Sequence, residues 1–115
     1  MEPILPEKVQ ELINKFADEE IYLHMETTNG AYASHFNEKF FSAGAYIRNA
    51  KLTYEHGKIV GDGPFRVGLK LAIGWVYAEG LTHYGFDEEG HLLLAGHDFD
   101  GKLAVALEMG KTPFK

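Results

Sequence analysis

Two histidines and a glutamate are the residues whose type and spacing first suggest chemistry in this sequence. His24 and Glu26 are two positions apart, so on a β-strand their side chains share one face. The dipeptide Asn29-Gly30 follows, and it strongly favours a two-residue hairpin because both central residues need a positive φ. A turn there places His35 directly opposite His24, with the two Cβ atoms about 4.5–5.5 Å apart.

Two imidazoles and one carboxylate on one patch of a sheet match the 2-His-1-carboxylate site, which holds a divalent metal and leaves positions open for substrate. We therefore predict His24, Glu26 and His35 as metal ligands, with Zn, Fe or Mn as the metal. The prediction depends on the hairpin, since a slip of one residue puts the histidines on opposite faces. The alternative is a pair of half-exposed histidines at a sheet rim. His97, at a later strand end, could add a ligand or carry a proton.

Side-chain alternation in the segment 46–55 predicts a second site. One face of this strand carries Tyr46, Arg48 and Tyr54 among aliphatic residues, whereas the other face is polar and is expected to meet solvent. Arg48 is therefore expected on the inward side, where a lone guanidinium is costly unless it is paired. We predict Arg48, Tyr46 and Tyr54 as ligand-binding residues.

Two kinds of partner could satisfy this guanidinium. The first is an internal carboxylate, Glu26 or Glu79, or else solvent at a sheet rim to which the Arg48 side chain extends; in both cases the arginine is structural. The second is a carboxylate or phosphate of a small anionic ligand, because the planar fork of arginine matches such groups. No residue pattern of a nucleophilic hydrolase is present, so no catalytic residue is assigned.

The hydrophobic pattern predicts one helix followed by strands. Apolar residues at helical spacing form a single stripe between residues 6 and 17, and Pro6 suits the first helical position. After Glu20, glycine-containing turn signals separate about seven strands, near 21–28, 31–36, 43–55, 58–60 with 64–71, 75–84, 91–97 and 102–109. Short connections favour antiparallel pairing. We predict a mainly β fold, an antiparallel β-barrel-like domain over about 20–110 with one N-terminal α-helix.

Composition limits the classes of function. The 115 residues are expected to form a single domain, 1–115. The absence of cysteine excludes disulfides and thiolate chemistry, and no leader or apolar span is recognised, so a cytoplasmic protein without a membrane partner is expected.

The net charge of −6 argues against nucleic acid as a binding partner. Basic residues nevertheless concentrate between 39 and 70, which suggests either an anion-binding patch or a solvated strand face. If Ile73-Gly74 closes the hairpin, Trp75 and Tyr77 are expected in the core, with an aromatic binding slot as the alternative.

Five blocks of the sequence resemble the YojF family of small proteins from Bacillus-type bacteria. They are residues 21–32, 45–55, 63–70, 74–82 and 94–97, which occur in the same order and span nearly the whole chain. The resemblance implies a β-barrel-like fold and brings no catalytic or binding residues. It also implies an accessory role, because relatives tend to be encoded beside a zinc-dependent deacetylase of the kind used in bacillithiol synthesis.

Three functions therefore stay open. The first is a non-catalytic accessory protein that binds a small molecule or a partner, such as the neighbouring deacetylase. The second is a divalent-metal-dependent enzyme that uses His24, Glu26 and His35. The third is a structural homo-oligomer, with a homodimer as the simplest form.

Overall fold

The structure, a computed structural model, describes residues 1–28 and 44–115. Within these ranges the chain forms one helix and nine strands. In chain order they are β1 (Glu2–Pro3), α1 (Pro6–Phe16), β2 (Ile21–Thr28), β3 (Gly44–Leu52), β4 (His56–Val60), β5 (Phe65–Lys70), β6 (Trp75–Leu81), β7 (His83–Phe86), β8 (Leu92–His97) and β9 (Leu103–Gly110).

The strands form two antiparallel sheets. The larger sheet has the order β1-β7-β8-β9-β2-β3, and the smaller sheet has the order β4-β5-β6. The prediction of a mainly β, antiparallel fold is confirmed. In the described part of the chain the sheets face each other without closing into a barrel, and β1 and β3 are the edges of the larger sheet. The architecture is therefore nearer to a β-sandwich than to a closed β-barrel.

One predicted strand is divided between the two sheets. The segment predicted as 75–84 forms β6 in the smaller sheet and β7 in the larger one, and Thr82 lies at the crossing. The Thr82 N–H donates to the carbonyl of Ala95 at 2.8 Å, and the Thr82 carbonyl accepts from the Ile4 N–H at 2.9 Å. These bonds keep the backbone paired while the chain changes sheets, as buried peptide groups require.

The helix begins at Pro6 and ends at Phe16, close to the predicted 6–17. Gln10 ties it to the edge strand β4, because its Nε2 donates to the Gly57 carbonyl at 2.8 Å and its Oε1 accepts from the Ile59 N–H at 3.0 Å. The helix thereby covers an edge that would otherwise present unpaired backbone groups. In the described residues no helix is long and apolar enough to cross a membrane.

The core lies between the sheets and under the helix. Burial of one Leu or Ile side chain contributes about 1.5–3 kcal/mol, so this cluster is the main source of stability. Its fully enclosed aliphatic members are Val9, Ile13, Ile21, Val67, Leu69, Leu81, Leu92, Leu94 and Leu107.

Tyr54 belongs to this core and not to a binding surface. The strand predicted as 43–55 ends at Leu52, so the alternation that grouped Tyr54 with Arg48 does not extend to it. Its side chain is fully buried, and its hydroxyl donates to the carbonyl of Ile13 at 2.5 Å. Burial raises the pKa of the Tyr54 phenol. The hydroxyl therefore serves as a fixed donor that holds the end of the helix.

The substitution Gly96→Ala is expected to destabilise the fold by about 1–3 kcal/mol, the usual range for overpacking. A Cβ at Gly96 on β8 would overlap the carbonyl oxygen of Gly80 on β6, and neither backbone can yield without separating the sheets. Urea unfolding measures the loss. Gly85→Ala is the matched control, since a Cβ there meets only Met1, at 3.4 Å. Equal unfolding midpoints for the two variants would contradict this close packing.

Candidate functional site

A β-bulge in the edge strand β3 creates the candidate site. Leu23 of β2 pairs with Ala50, whereas Met25 pairs with Ile47, so two residues of β3, Arg48 and Asn49, stand opposite the single residue His24. Asn49 takes the left-handed conformation, with φ 56°, which asparagine tolerates better than most residues. The bulge brings the Arg48 side chain to His24, a contact that regular alternation does not predict.

The pairing of β2 differs from the predicted hairpin. Thr28 lies opposite Gly44 on one edge of β2, and the other edge of the strand pairs with β9. In the described residues, His24 therefore lies opposite Glu108 on one edge of β2 and beside Arg48 and Asn49 on the other. Residues 29–43, which include Asn29-Gly30, the predicted strand 31–36 and His35, lie outside the described residues.

The two ring nitrogens of His24 are both engaged. Its Nε2 lies 3.0 Å from Oε1 of Glu26, and its Nδ1 lies 3.2 Å from Nη1 of Arg48. A guanidinium can only donate, so Nδ1 accepts from Arg48 and the Nε2–H donates to Glu26. His24 and Glu26 thus meet as predicted, but a metal on His24 would have to replace one of these bonds. Within residues 1–28 and 44–115 no three His, Asp or Glu side chains form a metal-binding group, and metal binding at His24, Glu26 and His35 stays a prediction.

Arg48 is exposed, contrary to the expected inward position, because β3 is an edge strand and the bulge turns this residue out of alternation. Its partners are not the predicted carboxylates. Besides His24, Nη2 donates to the Lys115 carbonyl at 2.5 Å, and the guanidinium carbon lies 5.0 Å from the centre of the Phe114 ring. Arg48 therefore joins the sheet to the segment that follows β9.

Tyr46 also contacts His24, but from the solvent side. Its side chain is 67 % exposed, and its ring meets the imidazole edge-on at 5.2 Å. His97 lies elsewhere on the larger sheet, where its ring meets His83 at 5.7 Å. The structure therefore groups Tyr46 with Arg48 and His24, and it separates Tyr54 and His97 from them.

Residues 111–115 fold back over the outer face of the larger sheet. The Asn49 side chain clamps this segment, because its Nδ2 donates to the Phe114 carbonyl at 2.8 Å and its Oδ1 accepts from the Phe114 N–H at 2.7 Å. The Phe114 ring is buried and stacks on His91 at 4.2 Å, with His24 at 6.0 Å on its other flank. The segment thus closes one side of a cleft.

His91 is buried in the wall of this cleft. Its Nδ1 lies 2.6 Å from Asp87 Oδ2, and its Nε2 lies 2.8 Å from the Thr112 carbonyl and 3.1 Å from the Thr112 hydroxyl. The Asp87 carboxylate and the Thr112 carbonyl are acceptors, so a doubly protonated ring donates to both. Burial lowers the pKa of His91, but the Asp87 hydrogen bond and charge, with the Thr112 carbonyl, outweigh burial and raise that pKa above its usual value. Burial raises the pKa of Asp87, but the hydrogen bonds that Asp87 makes with His91 outweigh burial and bring the pKa of Asp87 below its usual value.

Glu108 lies on the floor of the cleft. It stands opposite His24 on β2 and Leu93 on β8, so the three side chains share the outer face of the sheet. Its half-buried carboxylate makes no hydrogen bond or ion pair with the described residues. Burial raises the pKa of Glu108, and the nearby His24 and Arg48 oppose this rise without cancelling it.

These groups enclose a cleft of about 380 Å³. The cleft is lined by Arg48, Leu93, Glu108, Phe114 and Lys115 and by residues 87–89 and 91 of the β7–β8 loop. Sequence reasoning found Arg48 but missed the other walls. The signals for two of them were local. Glu108 is a lone carboxylate within the apolar run 103–109, and a turn glycine precedes His91. The docking of Phe114 had no local signal.

The fold and the site define a small two-sheet β protein with a charged cleft on the outer face of its larger sheet. The chain matches, over residues 3–114, the family described as proteins of unknown function (DUF1806), and it belongs to that family. It is 54 % identical over 114 residues to the uncharacterized protein YojF of Bacillus subtilis (strain 168), covering 99 % of this chain and 98 % of that protein. The crystal structure of Bacillus subtilis YojF is similar, with TM-score 0.81, 46 % identity and coverage of 99 % of this chain and 96 % of that chain.

Two substitutions at Asn49 are expected to measure separately the stability contributed by its side-chain hydrogen bonds to Phe114 and by its left-handed backbone conformation in the bulge. Asn49→Gly keeps the left-handed backbone but removes both hydrogen bonds to Phe114. We expect this to lower the free energy of unfolding by about 1–3 kcal/mol. Asn49→Ala adds the strain of a Cβ in this conformation, about 1–2 kcal/mol more. Urea unfolding of the two variants and the parent measures both steps. A glycine variant as stable as the parent would mean that the clamp contributes nothing.

The His91–Asp87 pair predicts a definite pH dependence. The raised pKa of His91 stabilises the fold below about pH 6.5, its unfolded value, and this stabilisation is lost as the pH rises through the folded pKa. The lowered pKa of Asp87 stabilises the fold at pH values above the pKa that Asp87 has in the unfolded chain. This stabilisation is lost as the pH falls through the pKa of Asp87 in the folded protein.

His91→Gln should therefore lower the melting temperature most between about pH 4 and 6.5, and the difference from the parent should shrink at higher pH. Charge-assisted hydrogen bonds of this kind contribute about 1.5–3 kcal/mol. NMR titration of the imidazole supplies the control, since Asp87→Asn should lower the pKa of His91. A difference in melting temperature that does not vary with pH would refute the charged pair.

Proposed function

We propose that this protein is a non-catalytic binding protein, and that the cleft between Arg48 and Glu108 takes a small molecule carrying both an amino group and a carboxylate. The observation that carries the proposal is the unpaired carboxylate of Glu108 on the cleft floor. A half-buried carboxylate that lacks a partner is costly, and a ligand ammonium would supply the missing donor.

Two cations of the same cleft, Arg48 and Lys115, suit an anionic group. Arg48 uses one nitrogen for His24 and another for the Lys115 carbonyl, which leaves further N–H donors on an exposed guanidinium. The Lys115 ammonium, 3.4 Å from Glu89, is nearly fully exposed and can turn toward the same ligand. A zwitterionic or amino-acid-like ligand would thus meet both a cation and a carboxylate within one cleft.

The engaged state of His24 favours binding over metal-dependent catalysis. Its two nitrogens make hydrogen bonds to Glu26 and Arg48, so the imidazole has a structural role in connecting these two side chains beside the cleft. The metal-dependent alternative with His24, Glu26 and His35 requires this arrangement to open, and no observation on the described residues favours it.

An accessory role beside a deacetylase fits the same chemistry. Removal of an N-acetyl group converts a neutral amide into a free amine, and the amine is the group that Glu108 can recognise. The resemblance to the YojF family implies such a neighbour from bacillithiol synthesis. A cytoplasmic protein that retains the deacetylated product, or presents it to the next enzyme, accords with this role.

Calorimetric titration with muramic acid, an amino sugar that carries a carboxylate, tests the proposal. We expect the parent to bind muramic acid and the variant Glu108→Gln to bind it about 10- to 100-fold more weakly, because one charge-assisted contact is lost. The N-acetylated compound should bind both proteins equally, since it lacks the ammonium.

Glu55→Gln is the control variant, because Glu55 is an exposed carboxylate that does not line the cleft. It should leave the affinity unchanged. Binding of the amine and its acetylated form with equal affinity to the parent would remove Glu108 from recognition. Absence of any heat at millimolar ligand would reject amino sugars with a carboxylate as the ligand class.

A further inference from the structure

The outer face of the smaller sheet carries two exposed aromatic side chains. Lys70 pairs with Trp75, and Gly68 pairs with Tyr77, so both rings share the face of Lys70 and not the buried face of Leu69. Trp75 is 46 % exposed and Tyr77 is 51 % exposed. Their expected place in the core is therefore wrong, because the loop between β5 and β6 closes in a different register.

The two rings form one stacked platform. Their centroids are 5.4 Å apart and their planes differ by only 11°. Tyr77 lies across Gly68, where a Cβ would come within 2.8 Å of the ring, so the glycine lets the tyrosine lie close to the sheet. His56 meets Trp75 edge-on at 5.8 Å and supports its outer side. The platform thus presents aromatic surface to solvent from a rigid strand.

Cations surround this platform. Lys70 lies 5.7 Å from the Trp75 ring centre, and Arg66 lies 5.4 Å from that of Tyr77. Lys58 extends the set on the neighbouring strand, where it pairs with Gly68. Glu79 binds Arg66 at 2.6 Å and is the acidic side chain of this face. The balance is positive on a chain whose net charge is −6, so the cations are concentrated beside the rings.

We propose that this face, defined by Lys58, Arg66, Lys70, Trp75 and Tyr77, binds a short single-stranded nucleic acid. Exposed aromatic rings on a sheet stack on unpaired bases, and flanking lysine and arginine side chains neutralise the phosphates. Aliphatic or purely anionic partners would use only one of these two features. The face shares no residue with the Arg48 cleft, so the proposal stands independently of the proposed function.

The overall negative charge argued against nucleic acid as a partner in general. On this face, however, complementarity is local, because three cations and one carboxylate accompany the rings. Binding is therefore expected to be weak and confined to a few nucleotides. With three phosphate contacts at most, the logarithm of the affinity should fall with the logarithm of salt concentration with a slope of about −2 or shallower.

Tryptophan fluorescence tests the proposal directly, because Trp75 is the single tryptophan of the chain. We expect a uridine hexanucleotide at low salt to quench the emission of the intact protein in a saturable way. Inorganic polyphosphate, which has charge without bases, should not quench it. Uridine monophosphate should bind far more weakly than the hexanucleotide.

Variants that keep Trp75 then assign the contacts. Tyr77→Ala and Lys70→Ala should each weaken binding roughly five-fold or more, as the loss of one stacked base or one phosphate contact implies. Glu79→Gln should tighten binding, because it releases Arg66. Phe86→Ala, which removes an exposed aromatic ring from the other sheet, should have no effect. Circular dichroism and melting temperature check that each variant is folded.

Several results would overturn the proposal. Lack of quenching at millimolar hexanucleotide would reject it, as would equal binding of polyphosphate, which would indicate plain anion attraction. Equal affinity for the mononucleotide would assign the face to a free nucleotide. A change of Trp75 emission with protein concentration, together with sedimentation as a dimer, would assign the face to a second copy of this chain.

Discussion

The bulge at Arg48 and Asn49 is the constraint from which the site on the larger sheet follows. In a regular strand, residues next to each other point to opposite faces, so one residue opposite His24 could reach it and its neighbour could not. The extra residue changes this, since the Arg48 guanidinium bonds to the imidazole while the Asn49 amide reaches the chain beyond β9. The bulge therefore joins β3, β2 and the segment 111–115 at one place.

The segment 111–115 can cover this sheet face and form a cleft because its backbone polar groups find hydrogen-bond partners there. Peptide groups laid over an apolar face would be left unsatisfied, which costs about 1–3 kcal/mol for each group. Here Asn49 pairs both backbone groups of Phe114, and His91 pairs the Thr112 carbonyl. The Phe114 ring can then be buried against the His91 imidazole, and the half-buried Glu108 carboxylate makes no hydrogen bond or ion pair with the part of the chain that the structure describes.

The predictable part of the fold is the part determined by local pattern. The helical stripe placed α1 to within one residue, and alternation with turn signals located most strands. Contacts that depend on register were not predictable in this way. The partner of β2 is distant in sequence, the bulge changes the face of Arg48 by a single inserted residue, and a shift in the β5–β6 loop moves Trp75 to the outside. Each error comes from the period of two, in which one residue changes the face of every side chain that follows.

An open sandwich leaves two outer faces, and in this chain the two differ in chemistry. The floor of the cleft on the larger sheet ends in an unpaired carboxylate, whereas the smaller sheet presents lysine and arginine beside aromatic rings. A closed barrel of the same strands would have one continuous outer wall, and its edges would not be available to the helix or to the segment 111–115. Separation into two sheets thus allows a net acidic chain to hold a half-buried carboxylate on one surface and lysine and arginine beside aromatic rings on another. The core between the sheets keeps these surfaces apart, so the charges of one face are largely screened from those of the other.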